Sequence, residues 1–271
     1  MTAAATGAPA GTRVEHVMGM PIVVDIRDDI PVEVVDDVYA WFRRVDATFS
    51  TYRDDSEISR LNRGELALGD AHADVRGVLH RCEELRELTH GYFDIRASMP
   101  GALDPTGFVK GWSVDRAARI LDEAGARNYA VSAGGDMLVR GGALPDERWR
   151  IGIQHPLLRD RVAALVETRE LAVATSGAYA RGNHVVDPWT ARAPSGVLSV
   201  TVCGPELGTA DAFATAAFAM GVRGPHWTAR LPRGYEAMTI LADEKLLFTA
   251  GFPSAYTGVR SYTFHPETRK T

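Results

Sequence analysis

Apolar positions recur with helical spacing at Val34, Val35, Val38, Trp41, Phe42 and Val45, which predicts an amphipathic helix over 31–49, with Pro31 near its start, packed on a sheet. Val78, Leu79, Cys82, Leu85 and Leu88 predict a second helix over 75–89, closed by His90 and Gly91, with Gly91 suited to the left-handed closing position. Strand-like runs surround these helices. Residues 14–26 read as one strand interrupted at Met18, Gly19, Met20 and Pro21, and Tyr92 to Ile95 as the start of an extended segment. Residues 129–139 read as a strand interrupted by Gly134, Gly135 and Asp136, where a bulge or a close approach is expected. Residues 149–153 and 163–167 continue as a meander into a strand at 171–175, followed by a strand at 198–202. A third helix runs from about 110 to 124, a fourth from 210 to 220, and a short one from 225 to 231. A hairpin is expected at 237–241 and 246–248, turning at Asp243 and Glu244. Strands in runs with helices inserted predict an α+β fold, a single globular domain of largely antiparallel β-sheets with packed helices.

Composition narrows the classes of function. The 271 residues are 45% apolar and 24% charged, enough for a sizeable core. A net charge of −5, with no Lys/Arg cluster long enough to track phosphates, argues against nucleic acid as a partner. No run approaches the roughly 20 apolar residues of a membrane span, and the first residues lack the basic start and apolar run of a secretory signal. A cytoplasmic location is therefore expected. Residues 1–13 form a small-residue tail expected to be disordered, which leaves 14–271 as the domain. Cys82 and Cys203 lack metal-type spacing and read as reduced packing residues.

Candidate chemistry concentrates in two stretches. In the helix at 210–220, Asp211 and Thr215 are four apart and share a face, while alanines at 210, 212, 214, 216, 217 and 219 leave the backbone approachable. The pair is read either as a partial oxygen shell for a hard cation or as a dipole-favoured carboxylate with a back-bonding threonine. Just upstream, alternation places His184 and Val186 on one face of an extended segment, and Val185 and Asp187 on the other. The other stretch is 103–116, where Lys110 follows a Pro-Thr-Gly turn. A lysine there can meet a phosphate or simply be solvated. Tyr52, leaving the first helix, is either a ligand contact or a half-buried aromatic.

Several motifs in one order carry a resemblance: Met18-Gly19, STYRDDSEISRLN at 50–62, GYFD at 91–94, DPTGFVKGWSVDR at 104–116, AGGD at 133–136, TSGAY at 175–179, HVVDP at 184–188 and ADAFATA at 210–216. From Met18 to about Phe252 the chain resembles the ApbE family, the FAD:protein FMN transferases. The resemblance implies that Met18, Tyr52, Tyr92, Phe93, Asp94, Asp104, Lys110 and Val186 surround FAD. It also implies a divalent ion, usually Mg²⁺, held by Asp211, Thr215 and the backbone carbonyl of Gly107. The chain departs from the family pattern in three places: VKG stands for the familiar AKG, the stretch after HVVDP lacks the usual glycine, and Ala214 occupies a position that is acidic in some relatives.

The implied reaction divides FAD at its pyrophosphate. A Ser or Thr hydroxyl of an acceptor protein attacks the FMN-side phosphorus and AMP is released. Lys110 would stabilise the developing charge, and His184 would take the proton of the hydroxyl, unless it merely orients Asp187 or packs. Two other functions remain open at this level: a Mg²⁺-dependent FAD pyrophosphatase, and a non-catalytic flavin-binding protein. Many relatives carry a lipoprotein signal and act outside the cytoplasmic membrane. This sequence shows none, so the acceptor is expected to be a cytoplasmic protein or the cytoplasmic face of a membrane one.

Overall fold

The first helix, α1 (Val32–Phe49), buries Val35, Val38, Tyr39, Trp41, Phe42, Val45 and Phe49, the stripe that its spacing predicts. It lies on the first two strands, and its Tyr39 hydroxyl shares its hydrogen with the carbonyls of Arg13 (2.8 Å) and Ile22 (3.1 Å). The computed structural model describes residues 11–97, 101–158, 160–177, 185–257 and 261–263.

Two apparent interruptions in strands are chain reversals. Instead of one strand over 14–26, β1 (Gly11–Val17) and β2 (Met20–Ile26) pair antiparallel across the two-residue turn Met18-Gly19. Both turn residues have positive φ, 55° and 70°, the backbone that turns a tight hairpin with the right-handed twist of its strands. β1 opens at Gly11, so residues 11–13, assigned by sequence to the tail, belong to the sheet. The glycine pair does the same further on: β3 (Tyr129–Ala133) and β4 (Asp136–Arg140) form a hairpin over Gly134 (φ 58°) and Gly135 (φ 99°), in place of a bulged single strand.

A short helix α2 (Glu57–Asn62), capped by the Ser56 hydroxyl, follows the Asp54-Asp55 turn. Next, α3 (Ala73–Leu88) ends at Thr89, with His90 and Gly91 both left-handed. The expected extended segment at Tyr92–Ile95 is instead a series of turns, because Thr89 captures the next amides: its carbonyl accepts Tyr92 N–H (3.1 Å) and its hydroxyl accepts Phe93 N–H (3.0 Å). With its amides satisfied locally, the segment has little to offer a ladder. α4 (Thr106–Glu123) begins four residues before the expected start, so Lys110 sits in its second turn.

β5 (Trp149–Gln154) and β6 (Val162–Thr168) leave the main sheet rather than continuing it, and pair with β11 (Ser254–Thr257) in a separate three-stranded sheet. The main sheet is completed by β7 (Leu171–Gly177), β8 (Val197–Gly204), β9 (Glu236–Leu241), β10 (Leu246–Phe248) and β12 (Ser261–Thr263), in the order β1-β2-β3-β4-β7-β8-β9-β10-β12. Its pairs are antiparallel except β10 with β12. α5 (Leu207–Ala219) and the short α6 (Gly224–Thr228) follow β8.

Three layers result. The helices cover one face of the main sheet, burying Ile22, Val24, Val131, Leu138, Val200 and Val202 against α1, α4 and α5. The small sheet covers the other face, where Trp149, Ile151 and Ile153 pack with Val139, Val173, Met238 and Ile240. Central strands are buried on both sides. Cys82 and Cys203 are free and buried, in agreement with their reading as packing residues, and burial raises both thiols well above the ordinary range.

Candidate functional site

The site forms where α4 and α5 cross beneath one end of the main sheet. Gly111 of α4 meets the start of α5 backbone to backbone: a Cβ on it would stand 2.6 Å from both Gly208 N and Leu207 O. Gly208 in turn has no room for a side chain against Phe108 and the Trp112 backbone. Asp115, one turn beyond Gly111, accepts N–H bonds from Leu207 (2.8 Å) and Gly208 (2.9 Å). It supplies the cap that Glu206, at the capping position of α5, does not. Two of the four orphan amides of α5 are thus satisfied by the neighbouring helix. Burial raises the Asp115 carboxyl to about 6, against the opposing pull of these two amides.

This crossing sets the register of the chemistry. Towards the N-terminus of α4, Lys110 reaches α5 at Asp211, Nζ to Oδ2 3.4 Å. The Lys110 ammonium also pairs closely with Asp136 Oδ2. Asp136 is the first residue of β4, delivered by the Gly134-Gly135 turn, and its Oδ1 accepts the Thr175 N–H from β7 (2.9 Å). Next to Asp136, Ser176 of β7 shares a hydrogen bond with Thr215 of α5 (3.1 Å), and Thr175 shares one with Thr201 of β8 (2.9 Å). Asp136 and Asp211 are 2% and 3% exposed. Two buried carboxylates converge on the Lys110 ammonium, a concentration of acidic oxygen that suits a cation.

The alternative reading of Asp211, a dipole-favoured carboxylate in the first turn of its helix, does not hold. The helix begins at Leu207, which puts Asp211 in the second turn, aimed at Lys110, while Asp115 does the capping. Among the described residues no three His, Cys, Asp or Glu side chains gather as a metal cluster. What the site offers is oxygen donors, the Asp211 carboxylate and the Thr215 hydroxyl one turn on; Gly107 lies one turn before Gly111 on the same face of α4. Such hard oxygen donors suit Mg²⁺, which is bound through one or two carboxylates and keeps other positions for waters or phosphate oxygens.

The flavin candidates are distributed unevenly around this cluster. Phe93 is buried and lies against Gly107, where an added Cβ would be 3.5 Å from its ring. Tyr92 holds the Arg223 guanidinium over its ring at 5.3 Å; Arg223 pairs with Asp187 Oδ2 (3.3 Å), whose Oδ1 accepts Trp189 N–H (2.9 Å). The Trp189 ring covers Gly91, so the turns at 91–93 and 187–189 are clasped twice. Val186 is half-buried beside them. Asp94 and Asp104 are half-buried and serve their own turns: Asp94 Oδ1 accepts Arg96 N–H, and Asp104 Oδ1 accepts the amide and hydroxyl of Thr106 at the start of α4. Met18 lies in the first hairpin turn, at the sheet end where Gly134 N–H reaches Pro21 O (3.2 Å). Tyr52 is 96% exposed, so it is not the half-buried aromatic of the alternative reading. His184 lies outside the described residues.

Sequence reasoning missed Asp136, Ser176 and Asp115 as site residues. The first had a visible signal, an acid placed directly after a glycine pair, but its partner is 26 residues away on another element.

The model of the ApbE family matches residues 18–101 and 96–239, most of the chain. The chain belongs to the ApbE family. A FAD:protein FMN transferase of Vibrio cholerae is 36% identical over 129 residues, 44% of this chain and 39% of that protein. One from Haemophilus influenzae is 25% identical over 249 residues, 69% of this chain and 72% of that protein. The stretch aligned to the Vibrio relative thus spans about two fifths of its length. Among solved structures, the flavin transferase ApbE of Vibrio cholerae superposes with a TM-score of 0.78 at 23% identity, covering 89% of this chain and 97% of that one. The ApbE protein of Thermotoga maritima also gives 0.78, at 22% identity and the same coverage. The layered α+β architecture is therefore that of ApbE proteins. Among the described residues, no helix is long and apolar enough to cross a membrane.

Proposed function

We propose that this chain is a Mg²⁺-dependent FAD:protein FMN transferase. The observation that carries the reading is the buried Lys110–Asp136–Asp211 cluster, adjoined by the hydroxyls of Ser176 and Thr215. A protein that only stored flavin would have no use for burying two carboxylates at a cost of several kcal/mol each. The names of the relatives supply the substrate pair, FAD and an acceptor protein.

In this reading FAD lies along the turns at 91–94 and 185–189 with its pyrophosphate at Lys110. The chain's own residues orient the substrate and balance its charge. Phe93, Tyr92 and Val186 line the flavin end, and Tyr52 and Met18 contact it from the rim. Asp211, Thr215 and the Gly107 carbonyl hold the divalent ion, which, when bound, neutralises charge on the pyrophosphate. The oxygen of an acceptor Ser or Thr hydroxyl forms a new bond to the FMN-side phosphorus. The P–O bond to the AMP phosphate breaks, and AMP leaves with that bonding pair. The hydroxyl proton passes to His184, and the Lys110 ammonium stabilises the charge gathering on the departing phosphate.

The test is incubation with FAD and Mg²⁺, with and without an acceptor protein, following AMP release and the mass of the acceptor together. Transfer requires acceptor-dependent AMP release and an acceptor heavier by the FMN moiety. AMP and free FMN released equally without acceptor identify a pyrophosphatase. FAD bound with no AMP under either condition ends the enzymatic reading.

A further inference from the structure

We propose that Asp136 is a positioning residue that keeps Lys110 from occupying the cation site at Asp211. The inference rests on the metal reading given above and adds a residue with a distinct task. Lys110 stands between two buried carboxylates on different elements: Asp136 at the head of β4, and Asp211 in the second turn of α5. The contacts are unequal. The ammonium is in close contact with Asp136, while 3.4 Å separates it from Asp211 Oδ2. A lysine held only by Asp211 would be a built-in competitor for any divalent ion, because its ammonium is already within reach. Asp136 draws the ammonium to the sheet side, away from the helix-side carboxylate.

Asp136 is itself held rigidly for this work. It follows directly on the Gly134-Gly135 reversal, and its other oxygen is fixed by Thr175 N–H of β7. It is 2% exposed, so water does not screen its attraction for Lys110. The hydroxyl pair Ser176–Thr215 adjoins it, so the same strand end that fixes Asp136 also fixes the threonine side of the site. The tether has a second consequence: with a divalent ion at Asp211, Lys110 remains next to it and does not swing to solvent, where it would be lost to the pyrophosphate.

The test measures Mg²⁺ affinity by calorimetry, without FAD or turnover, on wild type, Asp136→Asn, Lys110→Met, the double variant and Asp211→Ala. Asparagine keeps the acceptor for Thr175 N–H and removes only the charge. Asp136→Asn is expected to weaken Mg²⁺ binding tenfold or more, on the order of 1.4 kcal/mol, because Lys110 then closes on Asp211 and competes with the ion. Removing the lysine in that background is expected to restore affinity to near wild type, and Asp136→Glu is expected to rescue it in part. If the double variant binds as weakly as Asp136→Asn, Asp136 is a direct ligand and the inference is overturned. If Asp136→Asn binds Mg²⁺ as wild type does, the inference fails alone and the metal reading stands. If wild type shows no Mg²⁺ binding that Asp211→Ala abolishes, the metal reading fails and takes this inference with it. Melting temperatures on the same samples separate a folding defect, which would lower affinity in the single and double variants alike and count against the proposal.

Discussion

Gly111 and Gly208 face each other across the crossing of α4 and α5 with no space for a methyl group on either; the obstacles to Gly111 are backbone atoms that cannot rotate away, and those to Gly208 are the Phe108 ring and the Trp112 backbone. The contact explains why two helices from distant parts of the chain can bring Lys110 within 3.4 Å of Asp211. Gly111→Ala should therefore push the helices apart, with an overpacking cost of about 1–3 kcal/mol. At about 2–4 °C per kcal/mol for a chain approaching this size, the melting temperature should fall by several degrees and Mg²⁺ affinity with it. Gly77, inside α3 with nothing within 4 Å of its would-be Cβ, is the control: Gly77→Ala should raise stability by about 0.5–1 kcal/mol. Equal effects of the two substitutions would show that the crossing is not tight.

Asp115, which caps α5 from the neighbouring helix, gives a pH dependence with a definite sign. Burial raises its carboxyl from the ordinary 3.8 to about 6, outweighing the two amides that lower it. Its folded pKa is above its unfolded one, so the proton binds more tightly in the fold. The stability it contributes is complete below about pH 4 and is lost as pH rises through about 6, an effect on the order of 3 kcal/mol. The carboxyl lines a cavity of about 210 Å³ together with Arg81, Arg116 and Glu206, which gives the proton a route. Urea unfolding of wild type and the non-titrating Asp115→Asn between pH 4 and 8 should give a difference in stability that shifts towards wild type as the pH is lowered. A difference that stays level across this window would mean that Asp115 does not titrate there.

Asp211→Ala should abolish Mg²⁺-dependent FAD cleavage and leave the fold intact. The fold survives because Lys110 keeps its close pairing with Asp136, so no buried ammonium is stranded. Activity should fall by at least about 10²-fold, since a bound cation stabilises phosphoryl charge by several kcal/mol. Circular dichroism and AMP release on one preparation check both halves. A variant that still cleaves FAD with an unchanged Mg²⁺ requirement would remove Asp211 from the metal site.

How far the sequence could be read depends on the range of the interactions involved. α1, the β9–β10 hairpin and the shared face of Asp211 and Thr215 rest on local periodicity, and all three are found. In sequence the Met18-Gly19 and Gly134-Gly135 reversals read as interruptions, because a glycine within an apolar run suits a bulge as well as a turn. Only pairing with the returning strand distinguishes them. The Asp136–Lys110 contact and the capping of α5 by Asp115 join residues 26 and 92 positions apart and leave no local trace. β5 carries an ordinary alternating pattern and β6 an apolar run, and neither says to which sheet it belongs.

Tyr52 stands almost wholly in solvent at the end of the turn after α1, and such a ring contributes little to the core. If it closes over bound flavin, Tyr52→Ala should leave the melting temperature unchanged and weaken FAD by about 1–3 kcal/mol, the range for stacking on a planar ring. Tyr52→Phe should restore affinity. A fluorescence titration in which alanine binds FAD as tightly as tyrosine would exclude Tyr52 from the flavin site.

His184 tests the chemical step itself. It directly precedes Val185, which is buried, and lies three positions before Asp187, which is engaged by Arg223 and by Trp189 N–H. Asp187 therefore already has partners and does not require a histidine to orient it, which favours the role of His184 as acceptor of the hydroxyl proton. His184→Asn should then leave the affinities for FAD and Mg²⁺ near wild type, because neither binds by deprotonating a group there. Flavin transfer should fall by roughly 10²–10⁴, the usual worth of a positioned acid–base group. The loss should also remove the acidic limb of the pH–rate profile, since the base acts only when neutral and its ordinary pKa of about 6.5 lies in the working range. Dissociation constant, melting temperature and transfer rate measured on the same preparation decide the matter. A proportional fall in all three would make His184 a packing residue, and a normal rate at saturating FAD would take it out of the mechanism.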